Sequence, residues 1–225
     1  MKRYLPIFAS LILAGCSSSE PEQPVSRSLT VAQQPPKVDY VTPVDRPARV
    51  TPFTVEGSVP EVVDRVVAAF GRSGFTIDHV NRDLGIVTAT FRADPEDYVD
   101  CGELSLSRGD GEVLKLPAAA GRMRYDIPLD DGASIGTIDR MMVLDGRAVV
   151  AVERAGFSLA SINISGDYVL TRLAVLRAEG SDEARKRKQY LAFGTGQAVG
   201  FDKGSTICQS NGRLENDLLT VDALR

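Results

Sequence analysis

Three cysteines and a single histidine are the side chains of this chain best suited to covalent or acid–base chemistry. Cys16 follows the run Leu13-Ala14-Gly15, whereas Cys101 and Cys208 lie deep in the chain. A thiol can be acylated, can pair with a second thiol in an oxidising compartment, or can act as a nucleophile when its pKa is lowered. The segments around each cysteine therefore decide which chemistry to expect.

Residues 1–16 have the organisation of an export signal. Lys2 and Arg3 precede a mostly apolar stretch of about ten residues, which is too short for a membrane-spanning helix of roughly 20 residues but suits a signal-peptide core. The segment Leu13-Ala14-Gly15-Cys16 resembles a lipobox, in which cleavage precedes a cysteine that then receives lipid. We predict a signal peptide over residues 1–15 and a lipidated (diacylglyceryl, palmitate-bearing) Cys16. An ordinary signal peptide with a chance cysteine, or a short anchor helix, is the alternative.

Residues 16–52 are predicted to form the lipidated cysteine and a flexible tether, because proline, serine and glutamine interrupt every periodic run. The short stretches 38–41 and 44–55 are alternatively peptides that dock onto a partner. Ser17 resembles the residue that permits sorting to the outer membrane in Gram-negative lipoproteins. That resemblance implies a lipid-anchored protein of the outer membrane that faces the periplasm.

The composition favours a globular periplasmic body over a nucleic-acid-binding protein. Hydrophobic residues make up 43% and charged residues 25% of the 225 residues, which is an ordinary globular balance. Cleavage would remove Lys2 and Arg3 and so would move the net charge from −4 to −6. An acidic chain lacks the basic face that neutralises phosphates, so no nucleic-acid partner is expected.

The segment after residue 53 begins with a predicted helix and hairpin. Ser58 and Glu61 have the spacing of a capping box, and apolar residues then recur at helical spacing up to Phe70, before a stop at Gly74. Residues 75–80 and 85–92 are predicted to form a β-hairpin.

Further strands and a last helix complete the prediction. The candidate strands are residues 123–127, 138–144, 147–154, 161–165, 168–176 and 189–201. Asp145-Gly146 is expected to be a hairpin turn, and Gly166 a turn or bulge. A helix over residues 214–224 would turn Leu214, Leu218 and Leu219 inward. We therefore predict an α+β fold for residues 53–225, a single domain with an antiparallel β-sheet on which an N-terminal helix and a C-terminal helix pack.

A resemblance to a known family rests on VPEVVDRVVAAFGRSGFTIDHVNRDLGIVTATF, residues 59–91. A valine-striped helix, Gly74-Phe75, and a hairpin with Asp83-Leu84-Gly85 at its turn resemble the helix-grip domains of the BamC family. Members of that family are lipoprotein accessories of the outer-membrane β-barrel assembly machine, with a long extended segment after the lipidated cysteine. The family has two such domains, whereas this chain has room for one enlarged domain. The resemblance implies a non-enzymatic accessory role.

Cys101 and Cys208 are an even pair once Cys16 carries lipid, so in an oxidising compartment they are expected to form a disulfide. A redox or nucleophilic thiol is the alternative, but there is no C-x-x-C pair, and His79 is the one imidazole for a triad. No G-x-S-x-G elbow accompanies it. We predict no catalytic residues and a surface position for His79.

Three further patterns have a plain structural interpretation and a functional alternative. The acidic residues between 94 and 103 do not match a calcium loop, so a solvated loop is expected, with weak calcium binding as the alternative. Residues 194–200 lack the lysine of a P-loop, which favours strand glycines. The run Arg185-Lys186-Arg187-Lys188 is expected at a charged hairpin tip, with contact to anionic lipid as the alternative. No metal or other cofactor is predicted.

These features predict a non-enzymatic accessory or scaffold in a cell-envelope complex, with membrane contact through the lipid and a protein partner. A periplasmic module that binds a lipid or cell-wall fragment in a sheet–helix cleft is the alternative. A hydrolase with an unrecognised site is the third hypothesis.

Overall fold

A computed structural model describes residues 37–44, 52–107, 111–130, 132, 134–202 and 206–220, all of which belong to one compact unit. The predicted signal peptide, the lipobox residues Leu13, Ala14, Gly15 and Cys16, and residues 17–36 lie outside the described residues. The strands, in chain order, are β1 Lys37–Val41, β2 Phe53–Glu56, β3 Thr76–Asn81, β4 Ile86–Ala93, β5 Val99–Asp100, β6 Glu103–Ser107, β7 Val113–Pro117, β8 Arg122–Pro128, β9 Ile135–Arg154, β10 Leu159–Ala178, β11 Ala184–Gly194, β12 Ala198–Phe201 and β13 Thr206–Ser210. The helices are α1 Val59–Arg72, α2 Pro95–Tyr98 and α3 Arg213–Thr220.

Helix α1 forms where its local signals predict it. The Glu61 carboxylate accepts hydrogen bonds from the Ser58 amide at 2.8 Å and the Ser58 hydroxyl at 2.7 Å, which fixes the first turn. Val62, Val66 and Phe70 are buried because they recur on the face that packs against β3, β4 and β9. The helix ends at Arg72, two residues before Gly74 with its positive φ of 77°.

The predicted hairpin is confirmed as β3 and β4, which pair antiparallel between Thr76–Thr90 and Asn81–Ile86. Its base continues the core through a row of aromatic rings. The Phe75 ring lies 5.2 Å from Phe70 and 4.8 Å from Phe91, measured between centroids. These rings pack helix, hairpin and sheet into one core.

Two strands of 20 residues, β9 and β10, run through the whole seven-stranded sheet and pair with each other from Ala160–Arg154 to Ala178–Gly136. β4 and then β3 extend the sheet beside residues 144–151 of β9, and β2 pairs with the start of β10. β8 pairs with residues 135–141 of β9, and β11 with residues 167–177 of β10. The coarse prediction of an α+β fold with an antiparallel sheet is confirmed.

The predicted turn at Asp145-Gly146 is wrong, because β9 continues through both residues. A Cβ on Gly146 would lie 2.1 Å from Cζ of Phe91, so the glycine makes room for the aromatic ring on the neighbouring strand. Asp145 forms an ion pair with Arg92 at 2.8 Å, also across the β4–β9 pairing. The chain reverses instead at residues 155–158.

The predicted turn or bulge at Gly166 is also wrong, since β10 is continuous there. A Cβ on Gly166 would lie 2.6 Å from the Tyr168 hydroxyl and 2.7 Å from Cδ2 of Leu214. The absent side chain lets α3 approach β10. Leu214 and Leu218 are buried as predicted, whereas the Leu219 side chain and residues 221–225 lie outside the described part.

The end of the sheet differs from prediction in two respects. Residues 189–201 do not form one strand, because a turn at Thr195-Gly196 separates β11 from β12. The run Arg185–Lys188 is not a hairpin tip but lies inside β11, paired with residues 173–176 of β10. Charged side chains on an edge strand discourage pairing with another chain, which accounts for their place at the edge of this sheet.

Residues 37–41 correct the predicted tether, since they form β1 and pair with β6. Tyr40 fixes this strand to the body of the protein. Its hydroxyl accepts a hydrogen bond from the Ile207 amide at 2.8 Å and donates to the Cys101 carbonyl at 3.1 Å. Burial raises the pKa of Tyr40, and the hydrogen bond from Ile207 opposes that rise. The folded part therefore begins before residue 53.

Candidate functional site

The seven-stranded sheet changes character halfway along its two long strands. In β10, even-numbered residues from Ala160 to Leu170 are buried and odd-numbered ones are more exposed, but no residue from 171 to 178 is buried on either face. We call β8, residues 135–141, 173–178 and 184–188 the distal sheet. Since its apolar side chains are only partly covered, it is the candidate surface for a partner.

The alternation along the strands assigns each distal side chain to a face. Ile138, Arg140 and Leu176 continue the even-numbered series that forms the core, so they share the core-side face. Met141 and Leu173 belong to the odd-numbered series on the outer face. Each face of the distal sheet has an apolar centre. The distal sheet therefore differs from the common antiparallel sheet, in which one face packs on the core and the other is polar and solvated.

A groove of about 390 Å³ lies along the outer face. Its apolar wall comes from β9 and β10, and its polar wall from β8. The lining side chains used below are Arg122, Arg124, Asp139, Met141, Leu173 and Val175. Asp139 lies 2.6 Å from Arg177 and 3.7 Å from Arg124, so this carboxylate is paired with cations.

A second groove, of about 380 Å³, lies near the tip of the sheet. It includes Ile127 of β8, Leu176 of β10 and Arg185 of β11, together with Ser181 and Glu183 of the connection between β10 and β11. Apolar strands and a polar loop line it together. This is the composition of a surface that takes an apolar anchor within a polar rim.

Two arginines lie where the core-side face passes from the core into the distal sheet. Arg172 is well satisfied: its Nη2 donates to the Gln189 side chain at 2.6 Å, and its guanidinium lies 4.0 Å above the Phe201 ring. Its Nη1 donates to the Thr206 hydroxyl at 3.4 Å, and Asp202 lies 3.9 Å away. Burial lowers the pKa of Arg172, and these contacts offset that cost.

Arg140 has no such set of partners. Its side chain is 6% exposed, and its Nε and Nη2 atoms find no hydrogen-bond acceptor among the described residues. Burial lowers the pKa of its guanidinium and is the largest cause; Tyr125 opposes this, the positive charge of Arg172 lowers the pKa further, and the carboxylate of Glu96 raises it. A buried cation with two of its nitrogens unpaired destabilises the folded state.

Replacing Arg140 by methionine is therefore expected to stabilise the protein by about 1–2 kcal/mol, because a flexible apolar side chain fills the same space without a charge to desolvate. Urea unfolding followed by circular dichroism measures the change. Arg172→Met is the matched control and should destabilise, since it removes satisfied contacts. A loss of stability in Arg140→Met equal to that in Arg172→Met would contradict the argument.

The structure brings together the two inner cysteines of the predicted site. Cys101 follows β5 and Cys208 lies in β13, and pairing of Gln209 with Asp100 holds these strands side by side. The two sulfurs lie 2.06 Å apart, and both cysteines are fully buried. Cys16, the other predicted site residue, lies outside the described part.

Other residues with possible chemistry are scattered. His79 is exposed on β3, as predicted. In the acidic segment, the Asp94 side chain accepts a hydrogen bond from the Glu96 amide at 3.2 Å and caps α2, so part of the predicted loop is a short helix.

Within the described ranges, no three His, Cys, Asp or Glu side chains are grouped so that they could hold a metal. None of the helices described is both long and apolar enough to cross a bilayer.

The distal grooves did not emerge from the sequence, although one signal for them was present. Residues 173–176 read Leu-Ala-Val-Leu, an unbroken apolar run that places apolar side chains on both faces of a strand. Such a run usually indicates a strand covered on both sides. In the described structure neither side is buried, which marks the segment as available for contact.

Comparisons with known proteins leave the family open. No family model matches the chain, and no solved structure matches it significantly. Gamma-glutamyl phosphate reductase from Methylobacterium nodulans is 32% identical to the chain over 123 residues, which covers 46% of this chain and 28% of that enzyme. The chain thus spans little more than a quarter of that relative's length, so the similarity is to one part of that enzyme.

Proposed function

We propose that this protein is an outer-membrane lipoprotein, anchored through lipid on Cys16 and facing the periplasm. It acts there as a non-enzymatic accessory or scaffold of a cell-envelope complex, in the manner of the BamC family. The signal-like residues 1–15 and the lipobox support the anchor. The helix α1 and the hairpin β3–β4 support the BamC-like part, with α1 and α3 bracing the sheet that presents the partner-binding surface.

The observation that carries the proposal is the open core-side face of the distal sheet. Ile127 and Leu176 are only partly covered, in a groove of about 380 Å³, although they continue the face that forms the core. A partner that covers this groove would bury apolar side chains that the chain itself leaves in water. Full burial of an exposed side chain of this kind contributes about 1.5–3 kcal/mol, and these partly covered side chains would contribute a part of that to the interface.

The alternative, a ligand in a cleft between helix and sheet, finds less support. Val62, Val66 and Phe70 of α1 are fully or almost fully buried, as are Val87 and Val150 beneath them. The space between helix and sheet is thus filled by side chains. The grooves described above lie on the distal sheet, which favours a surface contact with a protein.

Site-specific photo-crosslinking in intact membranes tests the partner. A photoreactive amino acid at Ile127 should give a discrete protein adduct, because that position lies in the core-side groove. The same amino acid at Phe157 is the matched control, since Phe157 is a fully exposed apolar residue in the turn at the other end of the β9–β10 hairpin. Equal adducts at both positions, or none at Ile127, would contradict the proposal.

Palmitate labelling that survives Cys16→Ser would contradict the anchor.

A further inference from the structure

The strand register places side chains of the outer face in two rows that cross all four strands of the distal sheet. The first row is Arg122, Met141, Leu173 and Lys188, and the second is Arg124, Asp139, Val175 and Lys186. Residues directly opposite in antiparallel strands point to the same side. Each row therefore begins and ends with a cation. The middle of the first row is apolar, and the middle of the second is Val175 beside Asp139.

The dimensions follow from sheet geometry. Neighbouring strands lie about 4.8 Å apart, so the cations at the two ends of a row are separated at their Cα atoms by roughly 14 Å. The apolar centre is open to solvent, with Met141 39% exposed. Tyr190 extends it on β11, 64% exposed, with the Lys188 ammonium 5.1 Å from its ring centroid.

The charge of this face is opposite to that of the chain. The two rows contain four cations and one carboxylate, Asp139, which is paired with Arg124 and Arg177. The next row adds one acid, Asp126, and one base, Arg177. The whole chain has a net charge of −4, whereas the two rows together are net positive.

We infer that the outer face of the distal sheet docks onto the anionic surface of a phospholipid bilayer. The flanking Arg122, Arg124, Lys186 and Lys188 contact lipid phosphates, and Met141, Leu173 and Val175 enter the headgroup boundary. Cations around an apolar centre are the combination that binds anionic interfaces, and aromatic side chains such as Tyr190 favour the same depth. A face with apolar residues alone would fit a protein equally well, but the cations on both sides select the anionic lipid.

This inference deepens the proposed function, which it uses in one respect: the lipid on Cys16 keeps the domain near a bilayer. The protein partner lies on the core-side face and the lipid on the outer face, so the two contacts are separate. If no protein adduct forms at Ile127, the proposal of a protein partner is wrong, but the lipid contact is unaffected. If the lipid contact, tested below, is absent, the proposal of a protein partner is unaffected.

Fluorescence of a single tryptophan tests the lipid contact, because the chain has no tryptophan of its own. The full chain with Met141→Trp, or with the conservative Tyr190→Trp, is reconstituted with vesicles of phosphatidylcholine alone or mixed with phosphatidylglycerol. Brominated lipids in these vesicles quench a tryptophan that enters the interface. Quenching is expected with phosphatidylglycerol at low salt and should weaken at high salt. Phe157→Trp, at the opposite end of the hairpin, should stay unquenched.

Charge variants in the Tyr190→Trp background give the second readout. Lys186→Gln with Lys188→Gln should lower the docking equilibrium constant, titrated against phosphatidylglycerol content, roughly 30-fold. Arg185→Gln with Arg187→Gln is the matched control, because it removes the same charge from the same strand on the other face, and its effect should be several-fold smaller. Equal quenching in both lipids, equal quenching at Phe157, or equal effects of the two charge pairs would overturn the inference. If a photoreactive amino acid on the outer face gave a protein adduct and no tryptophan quenching occurred, that face would bind a protein. This result would overturn the inference as well.

Discussion

Replacing Gly146 by alanine is expected to lower the free energy of unfolding by about 3 kcal/mol. The added Cβ would meet the Phe91 ring at three of its carbon atoms, the nearest at 2.1 Å. The ring has little room to retreat, since Phe75 lies 4.8 Å from it and Tyr98 5.0 Å, between centroids. Either the ring or strand β9 must shift, and both belong to the core.

Gly71→Ala is the matched control for this prediction. Gly71 lies in α1 with open space where a Cβ would stand, so the same substitution should stabilise the helix by about 0.5–1 kcal/mol. Urea unfolding of both variants measures the two changes, which should have opposite sign. The double variant Gly146→Ala with Phe91→Leu should recover part of the loss if the clash is its cause. No recovery, or a neutral Gly146→Ala, would contradict the packing argument.

Removing the disulfide by joint Cys101→Ala and Cys208→Ala is expected to cost about 2–5 kcal/mol. The cysteines are 107 positions apart, and closing a loop of about 100 residues restricts the unfolded chain by roughly 4.7 kcal/mol in the entropic account. The link also ties β5 to β13, in a sheet of three short strands. Strands of two to five residues are weak by themselves, so the link adds to the hydrogen bonds between β5 and β13 and to those that Tyr40 makes with Cys101 and Ile207.

Urea unfolding with and without reductant measures this contribution. The oxidised wild type should unfold at a higher urea concentration than the reduced wild type. The double alanine variant should unfold at the same urea concentration with and without reductant. Cys16→Ala is the control, and its unfolding should match that of the wild type. Because the two inner cysteines are bonded to each other, non-reducing mass spectrometry should find no free thiol at either. Identical unfolding of all forms would contradict the link.

Local signals predicted local structure well. The capping box at Ser58 and Glu61, the valine stripe of α1 and the hairpin after Phe75 all depend on residues close in sequence. The predicted turn at Asp145-Gly146 was wrong because a glycine can serve two purposes that look alike in a sequence. It permits a turn, or it makes room for a neighbour, and the neighbour here is Phe91 on another strand. The fold class was therefore predictable, and the length of the two long strands was not.

The candidate site was less predictable than the fold. The run Arg185–Lys188 looked like a solvated tip, but its alternate members belong to opposite faces of β11, so only Lys186 and Lys188 join the outer face. Arg122 and Arg124 join them through β8, far away in the chain. Such rows depend on the register of four strands, and no single segment contains that register.

Tyr40 has a consequence for when the protein can finish folding. Its hydroxyl bonds to Ile207, 167 positions later, so the beginning of the described chain is fixed by one of its last strands. In a chain that is exported, as proposed above, these two segments reach the periplasm one after the other. The β4–β9–β10 pairing can assemble first, but β1 has its anchor only once residue 207 is there as well. The native state is thus reached after export, and contacts of such long range make its last step slow.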